Sequence, residues 1–215
     1  MPAFVPDLSV LLAFALAAFV LAITPGPDMA LQMSRAINYG RGHGFATAAG
    51  AMSGILVHTG LAAFGISVLI VAAPTAFLVL KIAGALYLLW LAYGAVMHGG
   101  GLRLAERAAR TPTLRESYAT GIGINLLNPK VVLFFVTFLP QFVDRHDPAA
   151  PGKLFFLGGE FILVSIPVAI AMVLAAERMA GLLATNKLVQ RALNWSFAAV
   201  FTGFALTILL AEGRR

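Results

Sequence analysis

Six apolar blocks, each as long as the roughly 20 residues that cross a hydrocarbon core, leave this chain few options beyond a bundle of membrane helices. The first runs from Leu8 through Pro25 and Pro27 towards Ile37, and the second from Phe45 to Ala73. The third runs from Thr75 to Met97, the fourth from Tyr118 to Phe142, the fifth from Leu154 to Ala176 and the sixth from Ala192 to Ala211. Composition agrees: 60% of residues are hydrophobic and 11% charged, where a soluble domain carries about 25% charged residues. No polar stretch is long enough for a separate soluble domain, so residues 1–215 read as one polytopic membrane domain. No Lys or Arg precedes the first block and a second span follows it, so it reads as a retained helix and not a cleaved signal peptide.

Two short runs interrupt the apolar pattern: Thr24-Pro25-Gly26-Pro27-Asp28 and Asn125-Leu126-Leu127-Asn128-Pro129-Lys130. Each sets a proline and then a charge within an apolar block, and the two charges have opposite sign. Proline removes a backbone donor and clashes with the preceding turn, so the first and fourth helices should break there. In a bilayer such a break survives where it is buried in protein or lines a wet cavity. Broken helices at matching places in two halves of a chain point to a transporter's substrate site.

Laying Pro27-Asp28 on Pro129-Lys130 gives an offset of 102 residues. Three spans per half require opposite orientations. The expected fold is therefore an all-α integral membrane protein with about six transmembrane helices in two inverted three-helix repeats, 1–98 and 118–215, joined by a linker at 99–117. Depth creates a tension. Asp28 lies 20 residues after the start of its span and Lys130 lies 12 after Tyr118. A straight first helix would carry Asp28 about 30 Å, close to the far interface. Either the break shortens that path, or the fourth helix begins before Tyr118, or Asp28 is a boundary residue.

The net charge of +6 sits in short linkers, where it sets topology and does not suggest nucleic acid. Nine Lys and Arg, among them Arg35, Arg41, Arg103, Arg107 and Lys187, follow spans one, three and five; four, Arg145, Lys153, Arg214 and Arg215, lie on the other side. This count places both termini outside and the Arg-rich linkers in the cytoplasm. Lys81, near the start of span three, reads as a residue that snorkels to the interface. Gly50 and Gly54 form a GxxxG pair suited to close helix packing.

An ionisable group inside a membrane is a functional hypothesis by default. Lys130 lies mid-span, where an unpartnered charge costs about 2.5–3.5 kcal/mol on insertion scales, so it needs a partner, a substrate carboxylate or water. Asp28 suits either the first turn of a restarted helix or a substrate ammonium. Asn125 and Asn128, three residues apart, share a face and could hydrogen-bond an amino acid or satisfy carbonyls freed by Pro129. Thr24 joins them at the first break. Glu160, the single charge of span five, reads either as an acid paired with Lys153 or Arg145 or as a proton-coupling carboxylate. His58, mid-way along span two, is either hydrogen-bonded between helices or part of a proton relay.

Several chemistries are excluded by absence. There is no cysteine, hence no disulfide or thiolate metal site. No P-loop, no H-E-x-x-H and no G-x-S-x-G occurs, so neither ATP hydrolysis, zinc proteolysis nor a serine nucleophile elbow is encoded. No cofactor or metal is expected.

The matching pieces are Thr24-Pro25-Gly26-Pro27 with Gly40-Arg41-Gly42, Gly54 through His58, Leu80 through Leu88, and above all Gly121 through Lys130 with Phe134-Phe135 and Leu139-Pro140-Gln141-Phe142. In these the chain resembles the LysE/RhtB-type amino-acid exporters over nearly its whole length. The resemblance implies a multi-pass inner-membrane exporter of amino acids or close derivatives, driven by an ion gradient, and not an enzyme. It names no single substrate and leaves assembly into a homo-oligomer open. The alternatives are a structural subunit, a membrane-embedded enzyme or a passive channel.

Overall fold

The computed structural model describes residues 3–66, 74–98, 110–144 and 147–210. Arg103, Arg107, Arg145, Arg214 and Arg215, on which part of the topology count rests, lie outside the described residues, as does the side chain of Lys81. Among the described residues there are helices and no strand. They are α1 (Leu8–Ile23), α2 (Pro27–Tyr39), α3 (Arg41–Gly60), α4 (Pro74–His98), α5 (Leu114–Leu126), α6 (Pro129–Leu133), α7 (Ala150–Leu174), α8 (Ala176–Thr185) and α9 (Lys187–Leu210). A π turn, Leu61–Ile66, prolongs α3; a second π turn and a 3-10 turn, Phe134–Phe138 and Leu139–Phe142, prolong α6.

Both expected breaks are present. The α1/α2 pair bends by 54° and the α5/α6 pair, with its extension to Phe142, by 52°. Counting each pair as one span, five spans are long and apolar enough to cross a membrane. The 25-residue α4 stands where the third was expected.

Local chemistry accounts for the boundaries. α1 ends at Thr24 because Pro25 and Pro27 flank Gly26 and remove two donors in succession; Gly26 is fully extended and Pro27 opens α2 at the position proline tolerates best. Asn128 caps α6, its side chain accepting the Lys130 backbone N–H at 3.1 Å. A single proline does not suffice for a break, since α7 runs straight through Pro167.

Several boundaries differ from expectation. The fourth span begins at Leu114, not Tyr118. A capping box explains this: Thr113 Oγ1 accepts the Glu116 N–H at 3.1 Å, and the Glu116 carboxylate accepts the Thr113 N–H at 2.6 Å and pairs with Arg110. The sixth begins at Lys187, not Ala192, where Asn186 Oδ1 accepts the Leu188 N–H at 3.0 Å. The fifth begins at Ala150, with Pro151 in its first turn. Asp147 steadies that start by accepting the Ala149 N–H at 2.8 Å and the Lys153 ammonium at 2.6 Å, which together hold its carboxyl below the usual range. Finally, the linker after span five contains the short helix α8, which the apolar-block reading did not anticipate.

The broadest packing is α3 on α5, and α4 on α9. α7 lies against α1 and α3, and α2 lies against α3 and α5. The α3/α5 seam is set by two glycines: a Cβ on Gly50 would collide with the Tyr118 carbonyl, and one on Gly121 with the Thr47 carbonyl. Backbones can approach that closely only over residues without side chains. His43 Nδ1 to Ser117 Oγ at 3.0 Å and Ser53 Oγ to Tyr118 Oη at 2.7 Å pin the same seam. Further along, Phe14, Phe134, Phe135, Phe138, Phe161 and Phe204 stack at centroid distances of 4.7–5.8 Å and join both halves of the chain in one core. Gly121→Ala is expected to destabilise the protein by about 1–3 kcal/mol, the usual range for overpacking. Thermal unfolding in detergent measures this; an unchanged midpoint would contradict the close approach.

Candidate functional site

The two helix breaks meet, and the charges beside them meet with them. Lys130 Nζ lies 3.8 Å from Asp28 Oδ1. Their side chains are 5% and 17% exposed, so neither is free in solvent. The fourth helix begins four residues before Tyr118 and the first bends by 54° at its break, two changes that bring the charges to one level of the bundle.

Each charge sits at the helix end that favours it. α1 ends in carbonyls left without intrahelical donors, the negative pole of its dipole. Lys130 fills that position from the other half of the chain, donating to the Leu21 carbonyl at 3.2 Å and the Thr24 carbonyl at 2.9 Å. Asp28 lies in the first turn of α2, at the positive pole. Asn128 Nδ2 donates to Asp28 Oδ1 at 3.0 Å, so the cap of α6 also holds the acid of α2. Gly26 borders the pair: a Cβ there would come within 3.1 Å of Lys130 Nζ. At 3.8 Å the ion pair is too long for a direct hydrogen bond.

The other expected site residues divide. Thr24 is buried, but its hydroxyl is turned back to the Val20 carbonyl at 2.5 Å, and it serves the site through its backbone oxygen. Asn125 is buried, and its carbonyl accepts the His58 Nε2 proton at 3.3 Å while His58 stacks on Phe135. His58 thus bridges spans two and four beside the site. Its contact gives the interhelical hydrogen bond anticipated as one of its two readings. Glu160 is not among the residues that line the cavity beside the Asp28–Lys130 pair. Its Oε2 is buried without a hydrogen-bond partner, and Lys153, one of the two partners expected for it, is engaged by Asp147.

A cavity of about 50 Å³ opens beside the pair. A water needs about 10–15 Å³ on this measure, so the space holds a few waters. Its polar lining comprises Asp28, Gln32, Asn125, Lys130 and Ser165, contributed by spans one, four and five. Met29, Ile55, Phe161 and Met172 supply apolar wall. Gln32 and Ser165 were not expected. Gln32 carried a legible signal, since it follows Asp28 by four residues and so shares its helix face. Ser165 carried none, being a lone hydroxyl in an apolar run. Among the described residues no cluster of His, Cys, Asp or Glu could hold a metal ion.

The model of the LysE type translocator family matches residues 19–212. The homoserine/homoserine lactone efflux protein of Salmonella typhimurium is 31% identical over 94% of this chain and 96% of its own length. The leucine efflux protein of Klebsiella pneumoniae is 30% identical over 90% of this chain and 92% of its own. An uncharacterised membrane protein of Vibrio cholerae is 27% identical over 96% and 99%. No solved structure matches. A match that covers most of the chain and takes in both proline breaks shows that the chain belongs to the LysE type translocator family.

Proposed function

We propose that this protein exports amino acids or close derivatives across the bacterial inner membrane as a secondary transporter. The observation that carries the reading is the meeting of one cation and one anion at two helix breaks beside a small, partly polar cavity, in a chain of the translocator family. A free amino acid presents a carboxylate and an ammonium. Lys130 matches the first and Asp28 the second, and the loose pair between them leaves contacts that a zwitterion could replace. Relatives named for homoserine and for leucine efflux support the substrate class.

The halves 1–98 and 118–215 are read as inverted repeats joined by 99–117. Exchanging spans one, two and three for four, five and six turns the α3/α5 contact into that of α7 with α1. It leaves α4 on α9 and α3 on α7 as self-paired contacts, in keeping with the nearly equal bends of the two broken spans. Few waters fit the cavity, so the halves must part for a substrate to enter and leave, as in rocking transport. The ion gradient that drives the cycle is proposed to be protons, with Glu160 and His58 as the titratable candidates near the core.

Counterflow in proteoliposomes tests this directly. Liposomes preloaded with an unlabelled amino acid should accumulate the labelled one, across a panel that includes homoserine and leucine. A pH gradient should change net export without being needed for exchange. No counterflow with any member of a 20-amino-acid panel would overturn the reading.

A further inference from the structure

Three uncharged polar side chains line the cavity, Gln32 from span one, Asn125 from span four and Ser165 from span five, and of these Asn125 Oδ1 and Ser165 Oγ are buried without a hydrogen-bond partner. Gln32 is 9% exposed and Asn125 1%. Buried polar groups are seldom left unpaired, and two of them on one small cavity, with the Gln32 amide beside them, call for a ligand.

Ser165 makes the case sharpest. Hydroxyls elsewhere in these helices turn back on their own backbone: Ser34, Thr47, Thr59 and Thr137 each donate to the carbonyl four residues earlier at 2.7–2.8 Å. Ser165 lies in unbroken helix, with Phe161 four residues before it, yet its Oγ is buried without a partner. Asn125 packs over Gly54, where a Cβ would come within 2.5 Å of its Oδ1, so that oxygen is confined beside the cavity by contact and not by a hydrogen bond.

We infer that these three groups form a neutral polar subsite, selecting amino acids with a short hydrogen-bonding side chain, a hydroxyl or an amide, over aliphatic ones of the same shape. The inference rests on the amino-acid export proposed above. In that reading Asp28 and Lys130 take the ends common to every amino acid, so the uncharged groups remain to meet what differs between them. Two amides and a hydroxyl supply both donors and acceptors, which suits a neutral polar group and not a further charge. The apolar wall of Met29, Ile55 and Met172 and the small volume limit the side chain's length. A hydrocarbon side chain would displace water from the subsite without replacing its hydrogen bonds, whereas a hydroxyl or amide would replace them.

Competitive counterflow in proteoliposomes with matched pairs, threonine against valine and asparagine against leucine, is the test. The wild type should favour the polar member of each pair by at least about tenfold in half-saturating concentration. Ser165→Ala and Gln32→Met should each shrink that preference at least about threefold, chiefly by weakening the polar substrate, and Ser165→Thr should restore it. A wild-type protein that exchanges valine and threonine within twofold of each other overturns the inference while leaving amino-acid export intact. So does a preference that survives both substitutions. A wild type that exchanges no amino acid removes the subsite together with the function on which it rests.

Discussion

Lys130→Met is expected to abolish export while the protein still inserts and accumulates in the membrane. Methionine keeps much of the length and apolar stem of lysine and removes only the ammonium. What is lost is the single cation on the cavity wall and the donor to the Leu21 and Thr24 carbonyls. Removing one partner of a buried, hydrogen-bonded charge pair across a binding interface, here that of Lys130 with a substrate carboxylate, costs about 2–5 kcal/mol of binding. Charged against substrate binding, that is at least about thirtyfold in affinity. Transport in proteoliposomes measures the first effect and quantitative immunoblotting of membranes the second. Wild-type transport by the variant would remove Lys130 from the substrate site and leave it as a structural cap on α1.

Asp28 and Lys130 should also sense each other in folding. Asp28→Asn, Lys130→Met and the double variant form a cycle whose coupling is expected between about 0.5 and 3 kcal/mol, the range for residues in one charged network. Neither single variant strands its partner completely. Lys130 keeps two backbone carbonyls when Asp28 is neutral, and Asp28 keeps the Asn128 amide and the α2 terminus when Lys130 is gone. Each single loss should therefore cost about 1–3 kcal/mol, below the 3–5 kcal/mol typical when a fully buried pair loses one member. The double variant should be more stable than the sum of the two losses implies. Unfolding midpoints in detergent provide the measurement. Coupling indistinguishable from zero would reduce Asp28 to an acid that complements the start of α2.

The residues that break helices were legible because their effect is local. Proline's missing N–H and its clash with the preceding turn act wherever it stands, and Pro25 with Pro27, or Pro129 behind the capping Asn128, produced the two bends. Pro167 shows where that rule stops, since one proline inside α7 leaves the helix continuous. The start at Leu114 was also locally encoded, in the Thr113 and Glu116 capping box, but apolar blocks alone place a boundary where hydropathy rises and not where backbone donors are capped.

Opposite charges after matching prolines were a property of the sequence, as were the all-helical membrane class and the family pattern. Only the tertiary structure decided that the charges lie 3.8 Å apart and that Lys130 caps a helix more than 100 residues away. It alone turned the Thr24 hydroxyl away, left Glu160 off the cavity wall and gathered Gln32, Asn125 and Ser165 around one cavity. The physical reason is the all-round hydrophobicity of these spans. An amphipathic helix announces its buried face through periodicity, but a membrane helix is apolar towards lipid and protein alike. Which faces meet is then settled by close approach over Gly50 and Gly121 and by the demand of buried polar groups for partners, and both are relations between distant segments of the chain.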